Sequence, residues 1–128
     1  MQRIDHFAEA FLDEIVNERD QESRRAAIDR MIHPNVCHVS FDRAVYGKSG
    51  LDQRIAVLQA SLPPLARPIV QEPPAVRGNT IFFPWCLTGP SGPTRSSGSV
   101  FVVFTGTLAE WIYTTADLHR AELSAPET

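Results

Sequence analysis

The sequence is poor in the features that mark a cofactor site. Its two cysteines, Cys37 and Cys86, form neither a close pair nor a metal-ligand spacing. Each reads as a buried free thiol in a reducing compartment. No glycine-rich phosphate loop and no metal-binding motif occurs, so neither a cofactor nor a metal is expected. Long apolar runs are lacking as well, and none approaches the roughly 20 residues that cross a bilayer. "MQRIDHFAEAFLDEI" carries charges where a signal peptide would have its apolar core. The expectation is a cytoplasmic protein with no membrane partner. Nor is there an excess of positive charge. The net charge is −3 with histidine neutral, which leaves no global field to hold a polyanion, so nucleic acid is not an expected partner. The one basic cluster, Arg24, Arg25 and Arg30, shares its helix with Glu22 and Asp29 and reads as a solvated face.

What is present suits one globular domain: 128 residues, of which 43% are hydrophobic and 21% charged. The domain is expected over 1–120, with 121–128 a disordered tail. Ile4, Phe7, Ala8, Phe11, Leu12, Ile15 and Val16 follow the i, i+3, i+4 rule and predict an amphipathic first helix. Asp20 caps a second, which carries Ala27, Ile28, Met31 and Ile32 inward and stops at His33-Pro34. His33 then sits at a helix C-terminus, where it complements the dipole, and His6 reads as a surface residue. "VCHVSF" is a strand with Cys37, Val39 and Phe41 on one face and Val36, His38 and Ser40 on the other. Val45-Tyr46 continues its hairpin partner. Ser49 and Asp52 form an imperfect capping box for a third helix, whose stripe is Leu51, Ile55, Leu58 and Leu62. Pro63-Pro64 ends it.

The rest reads as β structure. Prolines confine any strand near Ile69-Val70 to a short or edge position. "TIFFPWCLT" and "SGSVFVVFT" are apolar on both faces, with Pro84 marking a bulge or an edge, and 89–93 is a loop. A last strand runs from Leu108 to about His119. Helices followed by strands predict an α+β domain with helices packed on one sheet face. The second apolar face needs its own cover, and a second copy across a two-fold axis is the simplest one.

This layout resembles the nuclear transport factor 2-like superfamily, in its SnoaL-like branch. The resemblance is carried by "MIHPNVCHVS", by "VYGKSGLDQRI" at the third helix, and by "GTLAEWIYTT" at the turn into the last strand. It implies three helices in the concave face of a curved, mostly antiparallel sheet, a cone-shaped α+β barrel with a cavity between the layers. It also implies dimerisation through the outer sheet face. Some members are enzymes, among them ketosteroid isomerase, scytalone dehydratase and polyketide cyclases, and many others only bind ligands or proteins. The function must therefore come from the site.

Such enzymes use a carboxylate or a histidine in an apolar cavity, where desolvation shifts its pKa and nearby donors stabilise an oxyanion. The expected catalytic groups are Asp117 and His38, and the expected ligand-binding residues are Tyr46, Trp85, Val100 and Tyr113. Asp117 and His119 share a strand face at about 7 Å, which first suggests a carboxylate–imidazole pair. The resemblance, however, places the family's acid at Ala116. Asp117 would enter the cavity only if a bulge near Thr114-Thr115 turned it inward. Otherwise it is a solvated strand end, and His119 belongs to the tail. Two functions stay open at this point. One is a dimeric protein that binds a small hydrophobic molecule, with proton transfer of isomerase, dehydratase or cyclase type. The other is a non-catalytic interaction domain that uses its outer sheet face.

Overall fold

The apolar stripe of the first helix is buried as expected, but the helix carrying it is not uniform. The computed structural model describes residues 4–40 and 42–117. In it, a 3-10 turn (Ile4–His6) leads into α1 (Phe7–Phe11), which widens into a π-helical segment (Leu12–Val16). Phe7, Ala8, Phe11, Leu12 and Ile15 form part of the core. Phe7 stacks on Phe11 and meets Phe104 edge-on. Next comes α2 (Gln21–Met31), whose Asp20 cap accepts from the Ser23 amide at 3.0 Å. That hydrogen bond holds the exposed Asp20 carboxyl below its ordinary pKa. β1 (Ile32–Ser40) follows directly, so His33 and Pro34 lie in a strand and His33 is not a helix terminus.

β2 (Arg43–Tyr46) pairs with β1, and α3 (Gly47–Ala60) begins at Gly47 without a side-chain cap. The expected capping box therefore falls inside the helix. Asp52 serves a different purpose there: it is 2% exposed and ties α3 to α2. Arg24 Nε donates to its Oδ1 at 2.6 Å, and Arg25 Nε donates to its Oδ2 at 3.0 Å. Arg24 is thus a buried charge rather than part of a solvated face, paired inside with Asp52. Gln59 completes the knot, donating to the Val16 and Glu18 carbonyls and accepting from Arg24 Nη1.

The remaining strands are β3 (Arg67–Val70), β4 (Ala75–Arg77), β5 (Thr80–Gly89), β6 (Gly92–Thr105) and β7 (Leu108–Asp117). The expected loop over 89–93 is a tight hairpin turn between β5 and β6. The seven-stranded sheet runs β2-β1-β7-β6-β5-β3, with β4 also on β5, so it is a curved open sheet, not a closed barrel. All pairs are antiparallel except β1 with β7. Pro84 sits where β3 gives way to β4 along the edge of β5, so its missing N–H breaks no ladder there. The helices cover one sheet face. On the other, Phe82, Phe101 and Tyr113 stand in cross-strand register, beside Val103 and Trp111. Phe82, Phe101, Trp111 and Tyr113 are 39–43% exposed.

Candidate functional site

Strand alternation determines what enters the space between sheet and helices. From β1 it sends His38 and Ser40 inward, from β7 Thr114 and Ala116, and from β6 Val100. The first helix and α3 close the other side with Phe11, Leu12, Ile55 and Leu58. Together these line a cavity of about 130 Å³ that is partly open.

Trp85 forms one wall, and a single glycine makes room for it. A Cβ on Gly98 would lie 2.6 Å from the Trp85 ring and 2.0 Å from the Thr115 carbonyl oxygen. The second neighbour is backbone and has no side-chain freedom to yield. Gly98 is therefore required by close approach, on strand β6 and opposite Ala116.

The cavity is apolar apart from one pole. There His38, 2% exposed, shares a 3.0 Å hydrogen bond between its Nε2 and the Thr114 hydroxyl. Its Nδ1 is buried without a partner. Burial disfavours the imidazolium and the Arg54 charge pushes the same way, so the pKa falls from 6.5 to about 4. His38 is a neutral base at pH 7. Arg54, 7% exposed, donates from Nη2 to Asp42 Oδ1 at 2.6 Å and to Ser40 Oγ at 3.2 Å. Its Nε is likewise buried and unpartnered.

Of the residues expected from the sequence, His38, Trp85 and Val100 come together in this cavity. Asp117 does not. From Val103↔Trp111 to Ser97↔Asp117 the β6–β7 register is regular, so no bulge turns Asp117 inward. It lies on the outer face, and Ala116 takes the inward position. The bulge on β7 comes earlier, at Glu110. Tyr113 is on the outer face by the same alternation. Tyr46, 71% exposed, is on the edge strand β2. His119 lies outside the described residues. The important omission is Arg54. It stands three residues after Leu51 and four before Leu58, on the apolar stripe itself, and a charge in that position was a readable signal. Among the described residues, no cluster of His, Cys, Asp or Glu could hold a metal ion. No helix of the described residues is long and apolar enough to cross a membrane.

No protein-family model matches the chain, and no curated protein matches it by sequence. Solved structures do match. A candidate isomerase of the SnoaL-like family from Agrobacterium tumefaciens superposes with a TM-score of 0.79 at 23% identity, over 88% of this chain and 95% of its own. A candidate SnoaL-like polyketide cyclase from Jannaschia gives 0.73 at 19% identity, over 92% and 89%. A de novo designed protein with a curved β-sheet gives 0.68 at 14% identity, over 91% and 88%. The chain has the SnoaL-like, nuclear transport factor 2-like fold. That a designed sequence shares this fold shows how little it fixes about chemistry.

Proposed function

We propose that this chain binds a small hydrophobic molecule in the cavity between sheet and helices and transfers a proton on it, as an isomerase or cyclase would. The observation that carries this reading is His38, a buried neutral imidazole with an unpartnered Nδ1 in an apolar cavity. With Nε2–H donated to Thr114 Oγ1, the Nδ1 lone pair is the base. Thr114 fixes the ring, and its hydroxyl accepts from Nε2–H in the tautomer this reading uses. The isomerase and cyclase names of two similar structures agree with this reaction type. Asp117 has no part in it.

Exchange of α-carbon protons for deuterium, followed by NMR over a panel of ketones of increasing size, tests the proposal directly. His38→Gln is expected to slow the protein-catalysed exchange on the order of a hundredfold, the usual contribution of a positioned base. Exchange equal in wild type and variant, or none above buffer, overturns the catalytic part.

A second reading concerns the outer face. Phe82, Phe101, Trp111 and Tyr113 form an apolar patch of the kind that marks an interface. A second copy of the chain, stacked sheet to sheet, is the proposed occupant, which leaves the cavity of each copy on the side away from the contact. Sedimentation velocity is expected to give twice the monomer mass, and Phe101→Lys is expected to halve it. A wild-type monomer at tens of micromolar would remove this reading.

A further inference from the structure

We infer that Arg54 anchors the oxygen of a neutral carbonyl ligand about one ring in size, an inference that rests on the cavity reading above. Size is the first argument. Apolar cavities of about 150 Å³ hold benzene, whereas drug-sized ligands occupy roughly 300–1,000 Å³. The space here is about 130 Å³ and partly open, so it holds one ring whose substituent reaches the opening. It admits a single ring or a short branched chain. A fused polycyclic skeleton exceeds it.

Hydrogen-bond accounting is the second argument. A buried donor without an acceptor is costly to keep, and Arg54 Nε is such a donor, in a side chain that lines the cavity. Its other polar contacts, Asp42 and Ser40, both use Nη2. A ligand oxygen in the cavity is the acceptor that completes the guanidinium.

Charge decides which oxygen. Asp42 already compensates Arg54 across a 2.6 Å ion pair, and the neighbouring imidazole is neutral. A carboxylate would enter an apolar cavity as an uncompensated charge, which is far costlier than a neutral acceptor. A carbonyl group satisfies Nε–H and adds no charge.

The test uses the full chain and four probes: acetophenone, ethylbenzene of the same shape without the oxygen, benzoate, and a four-ring steroid ketone. Affinities are read by calorimetry, with Trp85 fluorescence as a second readout. Acetophenone is expected to bind at least tenfold more tightly than ethylbenzene, and benzoate and the steroid ketone more weakly than acetophenone. Arg54→Met, which keeps an unbranched apolar stem, is expected to bring acetophenone down to the ethylbenzene value and leave ethylbenzene unchanged. Ethylbenzene binding also reports that the variant retains its cavity. If Arg54→Met does not fold, Arg54→Lys retains a cation for Asp42 while removing the Nε–H, and the same loss is expected. Equal affinity for acetophenone and ethylbenzene overturns the anchor and leaves the cavity reading standing. Tighter benzoate overturns the neutral carbonyl, and tight steroid binding overturns the size limit. If no probe binds at all, the cavity reading falls along with the inference.

Discussion

Replacing Asp52 with alanine is expected to cost about 3–5 kcal/mol of folding stability, the range for removing one partner of a buried ion pair. The loss comes from what is left behind. Arg24 is 3% exposed, and without Asp52 its guanidinium keeps only the Glu18 carbonyl and Gln59 Oε1 as acceptors. Neither carries a charge. The consequences reach beyond the pair, because Gln59 also receives the chain as it leaves the first helix at Val16 and Glu18. Urea unfolding measures the loss. Arg25→Ala serves as the contrast: this arginine is 58% exposed, and its contribution should be below about 1 kcal/mol. Replacing Arg24 and Asp52 together by apolar residues of similar volume should recover most of the loss. An Asp52→Ala variant within 1 kcal/mol of wild type would mean that the knot between α2 and α3 is not structural.

Lowering the pH from about 6.5 to 4 is expected to remove on the order of 3 kcal/mol of stability through His38 alone. The native pKa is about 4, against 6.5 for an ordinary histidine. Between these values the unfolded chain takes up a proton that the folded chain refuses, so stability falls as the pH falls. Above 6.5 both states are neutral and the effect is absent. Asp52 acts in a lower window. Burial alone would raise its pKa, but hydrogen bonds from Arg24 and Arg25 outweigh that, and the net direction is downward. Its contribution is therefore present above about pH 4 and disappears as the pH drops through its native value. Urea midpoints at pH 7.5, 4.5 and 3.0 separate the two, compared between wild type and His38→Gln. The variant should be nearly flat across the upper window and still lose stability below it. Parallel profiles would overturn the assignment of the upper window to His38.

Local pattern carried much of the fold. Helical periodicity located the Phe7, Phe11 and Ile15 stripe, Asp20 marked a cap, and proline density placed β3 at an edge. Where local chemistry had two uses, tertiary packing decided between them. Ser49-x-x-Asp52 is equally a capping box and a helix-interior carboxylate, and Arg24 on the facing helix selects the latter. The same holds for the candidate site. Alternation along "VCHVSF" separated His38 from Cys37 and Val39, yet it could not say which face was inward. The parallel pairing of β1 with β7 settles that, setting His38 beside Ile112 and within reach of Thr114. Asp117 turned on a register that one bulge could reverse. No bulge occurs near Thr114-Thr115; the one on β7 comes at Glu110, and the alternation after it leaves Asp117 outside.

The pairing of β1 with β7 also imposes an order of assembly on the growing chain. β1 has only β2 and β7 as sheet neighbours, and β7 is the last strand of the described residues. Until it emerges, the hairpin of β1 and β2 has no strand by which to join the meander of β5 and β6. Contacts that close so long a loop form slowly. His38 meets Thr114 across that seam, so the imidazole and its hydroxyl partner are brought together only when β7 pairs. A nascent or truncated chain lacking residues 108–117 would carry every helix of the cavity and still possess no cavity.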